Sequence, residues 1–240
     1  MNTYPQRGFT LLEIAIVVLI IGFLLAGVLK GQEMITSAKV KRLAGQSEEI
    51  RAAYLGFQDR YKALPGDYAE ANVALDCGGG TCLYGDGDSR IRANATPLNG
   101  SQVHEDILVW THLSSSGFLK GEYRMVAGAT EPDDANTPKN AYTIYLQIAF
   151  DGRYGMNDGG TLRHNLKTGG QIPATVMAEL DRKIDDGKPY RGGLQFSTYQ
   201  SPGAISPTEG GPSACTTAVD TDADWNFQSG NANCGAALLI

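Results

Sequence analysis

From Phe9 to Leu29 every side chain is apolar except Thr10 and Glu13, and beyond Leu29 the apolar residues thin out into a stripe. The continuous run satisfies the roughly 20 residues that a helix needs to cross a hydrocarbon core. Glu13 is the exception within it. A lone carboxylate at that depth costs on the order of 3 kcal/mol unless a partner satisfies it, which makes it a functional candidate by default. Farther on, Ile50, Tyr54, Phe57 and Tyr61 recur at steps of three and four, the spacing of one buried helix face. Leu64-Pro65-Gly66-Asp67 then stops the pattern, since proline and glycine together break a helix. The pattern predicts one helix from Phe9 to about Lys62, ~80 Å long at ~1.5 Å per residue. Gly22, Gly27 and Gly31 interrupt it, each costing up to ~1 kcal/mol against alanine. They mark places where the helix loosens or where neighbours approach closely.

Downstream, the pattern switches to mixed helix and antiparallel sheet. Tyr142, Ile144, Leu146, Ile148 and Phe150 alternate with Thr143, Tyr145, Gln147 and Ala149, the period of a strand, and Asp151-Gly152 follows as a turn. Val103, Ile107, Trp110 and Leu113 predict a short helix ending near Gly117, and Pro173 to Ile184 predicts another that buries Val176, Leu180 and Ile184 before Gly187. Leu194, Phe196 and Thr198 fit a second strand, and Ala236 to Ile240 an apolar edge strand. The fold class is α+β. No repeat of solenoid length is visible, and glycine-, proline- and serine-rich stretches such as Ser201 to Ser213 read as loops.

The segment Arg7-Gly8-Phe9-Thr10-Leu11-Leu12-Glu13 resembles the N-terminal signature of type IV pilins and of type II secretion pseudopilins. In that family a dedicated peptidase cuts after the glycine and methylates the new amino terminus. The resemblance therefore implies cleavage after Gly8, a methylated Phe9, and a pairing of Glu13 with the Phe9 amine of a neighbouring subunit. It divides the chain into a leader at 1–8, a long helix at 9–62 with its transmembrane part at 9–29, and an exported α+β domain at 63–240. It further implies a pilin-like fold, with the helix packed on a sheet-bearing domain. The implied partners are the prepilin peptidase, an inner-membrane assembly platform, and like or other pilin subunits in a filament. The implied location is a single-pass inner-membrane protein that becomes a periplasmic or extracellular filament. Three other readings stand beside a filament subunit: a non-polymerising initiator or tip subunit, a DNA-uptake receptor, and a membrane-anchored enzyme or receptor. A cleaved secretory signal fits less well, because its apolar core is usually ~7–15 residues and ends at a small-residue site.

Composition and motifs add further constraints. The chain has 240 residues and a net charge of −6, which argues against a large nucleic-acid footprint. Lys30, Lys39, Lys41 and Arg42 just past the span oppose the orientation implied by the resemblance, since basic flanks favour the cytoplasmic side. Cys77 and Cys82 enclose a glycine-rich turn and Cys215 and Cys234 a polar loop, so near-neighbour pairing is the simplest of the three connectivities that four cysteines allow. A bridge closing the C-terminal region is also what the pilin resemblance implies. No cofactor is expected, with calcium the ion that oxygen-rich loops would take. Its candidate ligands are Asp220, Asp222 and Asp224 in one loop and Asp86 and Asp88 in another, although neither run keeps an EF-hand pattern. Hydrolase, zinc-protease and P-loop motifs are all lacking, and His104, His112 and His164 take solvated or structural roles. The expectation is a structural protein without catalytic activity.

Overall fold

The computed structural model describes residues 10–78, 80–93, 96–98 and 101–240, with the backbone alone described at 96–98, 101 and 102. Helix α1 runs Leu11–Tyr61. The chain divides into two compact units, Met1–Lys39 and Val40–Ile240.

In the first unit α1 has no core of its own. Its large apolar side chains from Leu11 to Leu29 are between 48% and 88% exposed, so the chain itself buries none of this surface. An 18-residue window reaches a mean hydropathy of 2.9, long and apolar enough to cross a membrane. Gly22, Gly27 and Gly31 face open space, with no atom within 4 Å of where a Cβ would stand. Nothing in the chain itself therefore requires glycine at these three positions.

In the second unit α1 becomes one-sided. Val40, Leu43, Ala44, Ser47, Ile50, Ala53, Tyr54 and Phe57 are buried at helical spacing. All but Ser47 join one core with Trp110 and Leu113, Met177 and Leu180, and Ile148, Leu166 and Leu238 of the sheet. Phe57 is fully buried, a contribution of about 3 kcal/mol at most from area removed from water. The helix closes with the Lys62 amide donating to the Gln58 carbonyl at 2.9 Å, and Lys62 itself turns left-handed at φ 53°. At Gly66 glycine is required twice over, by φ +92° and by the Glu105 carbonyl lying 2.6 Å from a would-be Cβ.

The remaining elements are α2 (Ala71–Ala74), the hairpin strands β1 (Thr96–Leu98) and β2 (Ser101–Val103), and α3 (Glu105–Ser115). After them come β3 (Gln147–Asp151), a 3-10 turn (Met156–Asp158), β4 (Arg163–Lys167), α4 (Ala174–Ile184), β5 (Leu194–Phe196) and β6 (Ala236–Leu239). The larger sheet has the order β3-β4-β6-β5, antiparallel throughout, with Ile148 opposite Leu166, Leu166 opposite Leu238, and Leu238 opposite Leu194. The protein is thus α+β, a long apolar helix followed by a four-stranded antiparallel sheet with short helices.

Two sequence expectations are corrected. The C-terminal segment is not an edge strand: β6 lies between β4 and β5, and Ala236, Ala237 and Leu238 are buried. A short continuous apolar run suits a strand covered on both faces, and that signal was present. The strand predicted from Tyr142 begins only at Gln147. Asn140 breaks it, because its Oδ1 accepts from the amides of Tyr142 (2.7 Å) and Ile144 (3.1 Å) while Thr143 sits at φ 64°. The side-chain carbonyl substitutes for a sheet partner and bends the chain into a turn.

Candidate functional site

Gly8 and Phe9 lie outside the described residues, so the site is visible from Thr10 onward. The Thr10 carbonyl accepts the first helical bond, from Ile14 at 3.3 Å, which makes Thr10 the N-cap and Glu13 the third helical residue. Their side chains cap the helix reciprocally. Glu13 Oε2 accepts from the Thr10 amide at 2.8 Å and from the Thr10 hydroxyl at 2.9 Å, while Thr10 Oγ1 accepts from the Glu13 amide at 3.3 Å. This arrangement aims a carboxylate at the positive end of the helix dipole. Oε1 has no partner among the described residues and no cation pairs with Glu13 there. The arrangement leaves one carboxylate oxygen available, on a bare apolar helix, for a donor from outside the chain. The threonine-to-glutamate spacing was in the sequence, and a capping reading of it would have found this geometry.

The cysteines pair as near neighbours, Cys77 with Cys82 and Cys215 with Cys234, at Cα separations of 5.4 Å and 5.5 Å. The larger ring sits against the core: Cys215 and Cys234 are fully buried, and Trp225 within it donates its indole N–H to Asp181 Oδ2 at 2.6 Å. Its three aspartates do not converge. Asp224 meets Lys188 at 2.8 Å, Asp222 pairs with Arg191, and Asp220 Oδ1 accepts the Asp222 amide at 2.9 Å. Asp222 and Asp224 therefore tie the ring to cations of the loop after α4, and Asp220 bonds within the ring itself.

Of the sequence candidates for a metal, Asp86 alone falls in a group whose ligand atoms lie within 4.8 Å, with Asp67 and Glu105; Asp88 instead pairs with Arg92. A second such group is Asp181, Asp185 and Asp186. The first group is also a loop clamp. Asp67 Oδ1 accepts from the Gly87 amide (2.7 Å) and Oδ2 from Ser89 (2.7 Å), while Glu105 accepts from Asp86 (3.2 Å) and Arg92 (2.9 Å). Burial, together with neighbouring carboxylates, pushes Asp67 up to about 6 and Glu105 up to about 7. A cation there would have to compete with backbone amides already in place.

The three histidines are structural or partly solvated. His112 is fully buried, its Nδ1 accepting from the Gly66 amide and its Nε2 facing the Leu83 carbonyl, both at 2.9 Å, and burial holds its pKa down at about 4. Sequence reasoning missed the buried pair Lys167–Asp151: the Lys167 ammonium donates to both Asp151 oxygens (2.9 and 2.7 Å) and to Asn165 Oδ1 (2.9 Å). The strand Arg163-His164-Asn165-Leu166-Lys167 is polar in four of its five residues, so its composition carried no signal that Lys167 would be buried.

No curated protein and no solved structure matches this chain. Residues 4–29 match the prokaryotic N-terminal methylation motif, so a bare apolar helix, a capped carboxylate at its start and that motif coincide: the chain carries the signature of type IV pilins and pseudopilins, and fits a membrane-anchored precursor.

Proposed function

We propose that the chain is a structural subunit of a type IV pilus-like or pseudopilus filament, cleaved after Gly8 and assembled through helix α1. The observation that carries this reading is the apolar run from Leu11 to Leu29: an uncovered helix whose single carboxylate, Glu13, keeps one oxygen free. Moving such a helix from lipid into a bundle gains little from the hydrophobic effect, since lipid tails are as apolar as leucine. Close packing and polar pairing must then drive assembly. The open space at Gly22, Gly27 and Gly31 admits a neighbour's backbone, and Glu13 supplies the polar contact to a neighbour's Phe9 amine. The exported α+β domain is carried on the second part of the same helix. A structural role without catalysis follows from this reading, and calcium, if bound at all, would stiffen a loop of that domain.

Filaments sheared from cells and analysed by mass spectrometry test the proposal. Subunits should begin at a methylated Phe9 and be abundant along the filament. Intact Met1 in filament-derived protein would overturn it, and presence at one filament end alone would favour an initiator or tip subunit. Gly8→Val should leave the precursor uncut in the membrane.

A further inference from the structure

The second unit holds a cavity of about 600 Å³, within the ~300–1,000 Å³ range of small-ligand sites. Its wall is aromatic. Tyr61 and Tyr68 stand with ring centroids 5.5 Å apart, and Tyr54 faces His164 at 6.0 Å. Tyr54 is only 3% exposed, yet its hydroxyl has no hydrogen-bond partner among the described residues. The hydroxyl is not sealed from solvent, since the buried side-chain atoms without a partner among the described residues are Asp106 Oδ1, Trp110 Nε1 and Ser201 Oγ, so it is open to water or to a ligand atom at the cavity wall.

The charges of the cavity lean one way. Asp67 and Glu70 line it; Asp67 is already taken up by the Gly87, Asp88 and Ser89 amides, whereas Glu70 makes no ion pair among the described residues. Lys62, the cation on the rim, is engaged by Asp59 at 2.9 Å. His164 is held neutral: burial lowers its pKa, and its Nε2 accepts the Ile91 amide at 3.2 Å, which leaves the proton on Nδ1. The cavity thus joins electron-rich ring faces to the exposed Glu70 carboxylate, the two features that attract a flat organic cation. Arg60 already lies 5.3 Å above the Tyr61 ring, so one face of this wall accepts a guanidinium within the chain itself. A bare metal ion would leave most of the volume and all of the aromatic surface unused.

The geometry points to a binding site for an alkylguanidinium group, with Tyr54 Oη and the Glu70 carboxylate as acceptors and the Tyr61 and Tyr68 rings as its wall. The group can arrive as a free guanidine or on an arginine of another polypeptide. In the second case the peptide also brings a carbonyl oxygen for the His164 Nδ1–H.

The test uses the full chain in detergent micelles, so that its outcome is independent of filament formation. Butylguanidinium and the peptide acetyl-Gly-Arg-Gly-amide are titrated and read by saturation-transfer NMR and calorimetry, with butylurea and N-acetylglucosamine as neutral controls. Both cationic probes should bind in the millimolar range or tighter, and the neutral ones should not. Tyr54→Phe removes only the hydroxyl and should weaken butylguanidinium about tenfold, the effect of one hydrogen bond to a charged group. Glu70→Gln, at an exposed side chain without internal partners, should weaken it several-fold with the fold unchanged by circular dichroism. Tighter binding of the peptide than of butylguanidinium assigns the site to a polypeptide partner, and equal binding to a free guanidine. Failure of both cations to bind, equal binding by butylurea or N-acetylglucosamine, or no loss in either variant would overturn the proposal.

Discussion

Replacing Glu13 with glutamine separates two things that this carboxylate does. In the chain Glu13 caps α1 through Thr10, and glutamine serves the same reciprocal geometry, so the helix start survives the change. What disappears is the charge. The favourable interaction with the helix dipole is lost, ~0.3–1 kcal/mol, and so is the charge-assisted contact from Oε1 to a neighbour's amine, ~1.5–3 kcal/mol. That amine has an unperturbed pKa near ~8 and is a cation at neutral pH. Each subunit added to a filament would make this contact once, so the loss multiplies the concentration needed for growth by about 10- to 150-fold, at 1.4 kcal/mol per factor of ten. The assay compares processed protein sedimenting as filaments with the processed pool left in the membrane, over a range of expression levels. Processing should be normal and the filament fraction should drop at least tenfold. Thr10→Ala provides the control, because it keeps the charge and removes only a cap worth ~1 kcal/mol, so its defect should be smaller. Glu13→Gln subunits polymerising as well as wild type would refute the pairing. An equal defect in Thr10→Ala would reduce the carboxylate to a helix cap.

Three further outcomes are expected. Opening the Cys215–Cys234 ring, with its separation of 19 residues, should destabilise the second unit by ~3 kcal/mol, against ~2 kcal/mol for Cys77–Cys82 at a separation of 5, as read by chemical unfolding; the reverse order would contradict the loop-entropy argument. Lys167→Met leaves Asp151 without its cation and should cost ~3–5 kcal/mol, with much of that recovered in Lys167→Met/Asp151→Leu; a single-variant cost below ~1 kcal/mol would show that the pair is dispensable. Stability should be greater at pH 6 than at pH 8, measured by thermal unfolding. Asp67, Glu105 and Asp181 have folded pKa values raised to about 6, 7 and 7, so the folded state binds more protons and stability falls as pH rises from the unfolded values of 3.8 and 4.5 through these. His112, lowered from 6.5 to about 4, and His164, also lowered by burial, work in the opposite direction and lose stability as pH falls, while Asp106, raised by burial, adds to the three carboxyls. Glu105→Gln should flatten the slope.

The apolar run, the buried stripe through Ile50, Tyr54 and Phe57, the stop before Pro65 and both short helices α3 and α4 follow from the sequence alone. Each depends on residues within a few turns of one another, where period and punctuation dictate the backbone whatever the rest of the chain does. The reciprocal Thr10–Glu13 cap belongs with them, since three residues separate its partners. Only the tertiary structure decided the rest. Asp67 clamps amides 20 to 22 residues away, His112 holds the Gly66 amide from 46 residues away, and Asn140 donates to the Thr168 carbonyl across 28. Nothing local selects those partners, because each is chosen by whichever buried amide or carbonyl the packed core leaves unpaired nearby. The placement of β6 has the same origin. Its apolar composition states that both faces are covered, and only the approach of β4 and β5 states by what, since strand order is a matter of which distant segments the shared core brings alongside.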